Sequence, residues 1–219
     1  MDIRLNEEQL MVQGSVRELA RGRIAPRAAE IDETEEFPWD VLKKAAEVGL
    51  YSIDVYMQAA QDPSGLTLPL ITEELFWGCA GIGLALTGTG LPLMSLWNTG
   101  TPDQLAAWAP RMVGTPEAPQ VAAFAVTEPQ SGSDVSSLRT RARREGDEWV
   151  LNGRKIFITN GGVADVHVVV ATVDPELGHR GQASFIVTKD APGFSRGKKE
   201  KKLGIRASDT SELLYDDAR

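Results

Sequence analysis

The sequence predicts an α+β multidomain chain: an N-terminal all-α helical domain followed by an antiparallel β-barrel or sandwich domain. Three observations carry this expectation. Apolar residues recur at helical spacing through residues 1–115, between recognisable cap signals. Past Pro119 the pattern changes to short β-branched and alternating runs. No helix-length connection separates those runs, which predicts antiparallel pairing rather than βαβ units.

The first helix opens at Asn6 and Gln9, a capping-box variant in which each side chain can satisfy the other's free backbone donor. Leu10, Val12, Val16, Leu19 and Ala20 follow at near-helical spacing, and Pro26 ends the pattern. Pro38 suits a first helical position, and the stripe Leu42, Ala45, Ala46 and Val48 stops at Gly49. A third helix is expected over residues 66–77. Thr101, Pro102 and Gln104 form another start signal, opening a short helix through Leu105, Trp108 and Met112. In the second half, strands are expected at 121–126, at 138–144 with its basic residues outward, and at 148–151 and 154–158. The last two flank Asn152-Gly153, a strong signal for a type I′ hairpin turn. Residues 166–173 form a near-continuous β-branched run, as in a strand buried on both faces, and 183–187 and 211–215 read as further strands. The expected domains are 1–118, helical, and 119–219, β and flavin-binding in the reading developed below.

Composition narrows the functional classes. With 42% hydrophobic and 25% charged residues, the chain is of ordinary soluble type. A single cysteine, Cys79, excludes a disulfide scaffold or a cysteine zinc site, and two histidines, His167 and His179, exclude a multi-histidine metal centre. No metal is expected. Twenty-three basic against thirty-one acidic residues give a net charge of −8, the wrong sign for a general nucleic-acid binder. The polar N-terminus, from Met1 to Glu8, lacks the apolar core of a signal peptide. No charge occurs between Glu74 and Asp103, but five glycines and Pro92 within 78–92 interrupt that stretch. A span needs ~20 predominantly apolar residues. A buried helix pair is expected there, not a membrane span, and a cytoplasmic location follows.

Two short segments could carry chemistry. Residues 126–134, Val-Thr-Glu-Pro-Gln-Ser-Gly-Ser-Asp, follow a strand and gather hydroxyls around Gly132. Such a loop can aim successive backbone N–H groups at an anionic oxygen, with Ser131 and Ser133 adding donors. A polar loop with a Ser/Asp turn describes it as well, and on this segment alone that plainer reading is favoured. In residues 157–162, Phe157 and Thr159 alternate onto one strand face before Asn160-Gly161-Gly162. That pairing offers a stacking surface beside a hydroxyl donor; on this segment alone, a core aromatic with a strand-end threonine is the favoured reading.

Together the segments resemble the acyl-CoA dehydrogenase family. The likeness covers 123–134 and 151–162, then continues through Pro192-Gly193-Phe194 and residues 202–210, with all four motifs in order. The helical part resembles the family's N-terminal domain more loosely. The resemblance implies a flavoprotein oxidoreductase of fatty acid metabolism. It would remove hydrogens from Cα and Cβ of an acyl-CoA thioester, using FAD as cofactor. By the same resemblance Phe124, Val126 and Thr127 line the flavin, and Gly132 and Ser133 lie at its pyrophosphate. Phe157, Ile158 and Thr159 would lie beside the ring, with Ser133 and His179 also near the acyl-CoA substrate. Implied partners are a second copy of the chain or a complementary dehydrogenase-like chain, and an electron-transfer flavoprotein as acceptor.

Three departures stand out. Phe157 occupies a position where many relatives carry Trp. Residues 60–65 replace the usual Tyr-Gly-Gly segment. The family also continues into a second helical domain that supplies its catalytic glutamate, whereas this sequence ends at Arg219. No catalytic residue is therefore assigned. Glu128 is expected to anchor its loop, Asp134 to serve a turn, and Glu73 and Glu74 to lie on a solvated helix face. Little turnover and weak FAD retention are expected of the chain alone. The competing accounts are a non-catalytic subunit or remnant that works only with a partner chain, and an oxygen-using oxidase relative.

Overall fold

A computed structural model describes residues 4–219; Met1, Asp2 and Ile3 of the polar N-terminus lie outside the described residues. The chain forms two compact units. One comprises the chain up to Thr87 with Val113–Pro119 and Lys202–Ser208, the other Gly88–Met112, Gln120–Lys201 and Asp209–Arg219.

In the first unit, helix α1 (Glu7–Leu19) begins with the expected capping box: Asn6 Oδ1 accepts from Gln9 N at 2.8 Å, and Gln9 Oε1 from Asn6 N at 3.1 Å. Pro26 does not stop the chain. A π-turn (Ala20–Ile24) and a 3₁₀ turn (Ala25–Arg27) carrying Pro26 lead into α2 (Ala28–Thr34), so the change of helix type accommodates the proline without ending the helical run. Helix α3 (Trp39–Glu47) buries Val41, Leu42, Ala45 and Ala46 and ends at Gly49, φ 77°. Helix α4 (Ile53–Gln61), capped by Ser52, is an addition to the elements read from sequence. Helices α5 (Thr67–Gly78) and α6 (Ala80–Thr87) complete this set. A Cβ on Gly83 would stand 2.5 Å from the Phe76 ring, so this glycine serves close packing of α5 on α6. Glu74 is not on a solvated face: it is buried, and both its oxygens accept from Arg17.

In the second unit, α7 (Gly90–Thr99) and α8 (Pro102–Val113, through Met112) group with the sheet. Thr101 and Gln104 cap α8 reciprocally, at 2.8 and 3.2 Å. By length and composition Ala80–Thr99 could cross a membrane, yet 56% of it is buried and it is broken between α6 and α7. Helix α6 is mainly buried, whereas α7 buries Pro92, Leu93 and Leu96 and leaves Leu91 and Trp97 exposed.

The sheet has seven strands: β1 (Ala122–Ala125), β2 (Arg141–Glu145), β3 (Glu148–Thr159), β4 (Val166–Thr172), β5 (Gln182–Thr188), β6 (Phe194–Lys199) and β7 (Thr210–Ala218). Their order is β1-β4-β2-β3-β7-β6, with β5 also on β4. The helical-then-β architecture is as expected, but the pairing is mixed. β1 runs parallel to β4 from Ala122↔Val166 to Ala125↔Val169, and β2 meets β4 in parallel at Arg141↔Thr172. The β2–β3 hairpin occupies the crossover, so a parallel pair forms without a connecting helix.

The expected turn at Asn152-Gly153 does not form. The β2–β3 turn is at Gly146-Asp147, and β3 runs through Gly153 without interruption. Gly153, φ 154°, sits at a register shift against β7, where a Cβ would lie 2.4 Å from Thr140 Oγ1. Asn152 uses its amide on β7, accepting from Asp217 N at 3.0 Å and donating to Asp217 Oδ1 at 2.9 Å. Close strand approach, not turn geometry, explains this Asn-Gly pair.

Candidate functional site

The two chemistry-bearing segments meet at the end of β1. There the chain leaves the sheet, and Thr127 O accepts from Ile156 N of β3 at 2.9 Å. One residue earlier, the Lys155 ammonium donates to Val126 O at 2.7 Å and to Glu128 Oε1 at 2.8 Å. Lysine is almost never fully buried without a partner. Here the Lys155 and Glu128 side chains are 0% and 2% exposed. Glu128 also accepts from Arg139 N at 2.6 Å, Thr140 N at 2.9 Å and Gln130 Nε2 at 2.6 Å. Burial pushes the Glu128 carboxyl up. Lys155, Thr140 and the Arg139 and Thr140 N–H groups outweigh that and hold it down at about 2. Burial lowers the Lys155 ammonium against the pull of Glu128. Glu128 is thus a loop anchor, as expected.

The rest of the first bend is set by turns. Glu128 and Ser131 exchange backbone bonds at 2.9 and 3.0 Å, and the Ser131 hydroxyl turns inward to Asp134 O. Ser131 is therefore not the outward donor suggested by its position. Gly132 and Ser133 are exposed. Asp134 accepts from Ser136 N at 3.1 Å and from the Ser136 and Ser137 hydroxyls, the expected turn role, and these donors lower its carboxyl.

The second bend departs from simple alternation. A register shift between Lys155↔Leu213 and Ile158↔Ser211 inserts one residue into β3, and Phe157 takes φ 58° there. Its side chain is 60% exposed. A left-handed conformation costs a non-glycine residue about 1–3 kcal/mol, and such strain clusters at functional sites. An aromatic held out of the core at that cost presents a planar face. Phe157 and Thr159 both lie on the more open side, while Ile158 is buried, so only its backbone can face a ligand. The turn that follows is pinned below. Asp209 O accepts from Asn160 N at 3.0 Å, Asp209 Oδ1 from Gly162 N at 2.6 Å, and Gly161 O from His167 Nε2–H at 3.2 Å.

Phe124, Val126 and Thr127 are half-buried where β1 gives way to the first bend. His179 is exposed on a 3₁₀ segment (Pro175–Gly181). The next residue after that segment, Gln182, donates to Val135 O at 2.7 Å, bringing its strand beside the first bend. Lys155 is the site residue that sequence reasoning left without a role. No local pattern distinguishes a strand lysine that turns inward from one that turns out. Among the described residues no His, Cys, Asp and Glu group is arranged to hold a metal. A separate groove of about 590 Å³, walled by Trp108, Trp149 and Phe185, includes no residue of either bend.

These features suit a flat, partly anionic cofactor. One bend offers exposed backbone and a hydroxyl at Gly132-Ser133, and the other an outward aromatic flanked by a threonine.

Comparison with known proteins bears on the family of the chain. Residues 6–115 match the family model described as acyl-CoA dehydrogenase, N-terminal domain, and 123–218 match that of the middle domain. A short-chain-specific acyl-CoA dehydrogenase of Clostridium acetobutylicum is 42% identical over 221 residues, covering 99% of this chain and 57% of the relative. The structure of butyryl-CoA dehydrogenase from Megasphaera elsdenii superposes with a TM-score of 0.86 at 33% identity, over 100% of this chain and 58% of that one. A glutaryl-CoA dehydrogenase from Mycobacterium smegmatis, in complex with FADH2, gives 0.84 at 32% identity, over 98% and 54%. The chain thus spans a little over half the length of these relatives. It belongs to the acyl-CoA dehydrogenase family.

Proposed function

We propose that this chain forms the flavin-binding part of an FAD-dependent acyl-CoA dehydrogenase, an oxidoreductase acting on the α,β-carbons of an acyl-CoA thioester. The single observation that supports this best is the outward, strained aromatic at Phe157, held beside a threonine-bearing bend by Ile156 N–Thr127 O. The relative holding FADH2 supports the choice of cofactor. FAD, when bound, supplies the two-electron acceptor. The chain's own residues position it. Phe157 would stack on the ring, and Phe124, Val126, Thr127, Ile158 (through its backbone) and Thr159 would line it, the threonine hydroxyls offering hydrogen bonds to its polar edge. Fixed donors aimed where charge accumulates are a large part of catalysis. Gly132 and Ser133 would hold the phosphates, Ser133 and His179 lying toward the acyl-CoA. The working assembly would include a second copy or a complementary chain, with an electron-transfer flavoprotein as acceptor.

No carboxylate of the two bends can serve as the base that takes the α proton. Glu128 is sealed against Lys155, and the Asp134 oxygens are taken by Ser136 and Ser137. A positioned base contributes typically about 10²–10⁴-fold. Supplied with FAD, a short-chain acyl-CoA and a dye acceptor, the 219-residue chain is therefore expected to turn over more slowly than a full-length relative by about that factor. Turnover within tenfold of the relative would overturn the assignment of these carboxylates.

A further inference from the structure

The Lys155–Glu128 pair is larger than anchoring one loop requires. The ammonium reaches the carbonyl of Val126 and the carboxylate of Glu128, and that carboxylate collects the N–H groups of Arg139 and Thr140 at the entry to β2. Lys155 itself lies two residues before Phe157, and its neighbour Ile156 closes the bond to Thr127. Within three residues of β3, therefore, the end of β1, the first bend and the entry to β2 are joined to the strand that presents the strained aromatic. Buried ion pairs of this kind add little net stability against an uncharged pair of similar shape. What the pair fixes is relative position.

We propose that Lys155 and Glu128 are positioning residues that hold the two bends in one frame, so that Thr127 and Phe157 address the same flat ligand. The ligand is the flavin of the proposed function, and to that extent the inference rests on it. Neither side chain reaches the ligand. Each acts through Val126, Thr127 and Phe157.

The test uses the full 219-residue chain with the double substitution Lys155→Met and Glu128→Gln. It removes both charges, keeps a side-chain acceptor for the β2 backbone and abolishes the donor to Val126 O. Its melting temperature is expected within about 4 °C of the parent. Two readouts then report position. Hydrogen exchange of the Ile156 amide, measured without ligand, is expected to accelerate at least about tenfold while β4 and β5 amides stay protected. FAD titration by flavin fluorescence is expected to show affinity weakened at least about tenfold. An unchanged Ile156 amide, or parental FAD affinity, overturns the proposal. A parent chain that binds no FAD overturns the flavin reading instead, and Ile156 exchange still decides the role of the pair. Should the double variant unfold, Glu128→Asp decides, since it keeps the charge but shortens the reach. Faster Ile156 exchange in that variant supports the proposal, and unchanged exchange overturns it.

Discussion

His167 sits wholly buried in β4, its Nε2–H on Gly161 O and its ring 4.7 Å from that of Phe194. Burial is the main reason its pKa falls to about 4, and Arg196 adds to it; the bond to Gly161 and the charge of Asp165 oppose the fall. The folded value lies below the unfolded one near 6.5, so the unfolded chain takes up the proton first. Stability is then complete above pH 6.5 and lost as pH falls towards about 4, by up to about 3 kcal/mol. Urea unfolding followed from pH 7 to 4.5 should show this slope, and His167→Gln should flatten it. An equally steep slope in the variant would place the titrating group elsewhere.

At the level of elements, β3 does most to shape the site. It approaches β2 so closely at Gly153 that a single methyl has no room beside Thr140. Gly153→Ala should cost about 1–3 kcal/mol through overpacking, read as a lower urea midpoint at unchanged m-value. A neutral effect would mean that the strands part easily there. The same position shows where sequence reasoning succeeds and fails. Capping at Asn6, the start of α8 at Thr101 and the buried run of β4 are local patterns, and the sequence states them directly. Asn152-Gly153 carries an equally strong local signal, but tertiary approach of β2 and β7 overrides it and the turn moves to Gly146. The parallel β1–β4 pair was illegible for a related reason: sequential spacing says nothing of strands paired across an intervening hairpin. At the bends, motif residues marked the right segments. The left-handed Phe157 and the inward Lys155 depend on a bulge set by β7, whose register no local pattern records.

On the scale of the whole chain, the helical half and the mixed sheet match the two family models in order, and the chain spans a little over half the length of its relatives. In the proposed function the bends at 126–134 and 157–160 grip a flavin together. Titrating the 219-residue chain with FAD, beside the same chain carrying Thr127→Val and Phe157→Gly, tests it most directly. Glycine relieves the left-handed strain at 157, so the variant should stay folded within about 1 kcal/mol of the parent. The predicted result is saturable binding with quenched flavin fluorescence in the parent, weakened at least about tenfold in the variant. Equal binding by both chains would mean that Thr127 and Phe157 do not hold the flavin, and no binding by the parent would mean that the two bends form no flavin site.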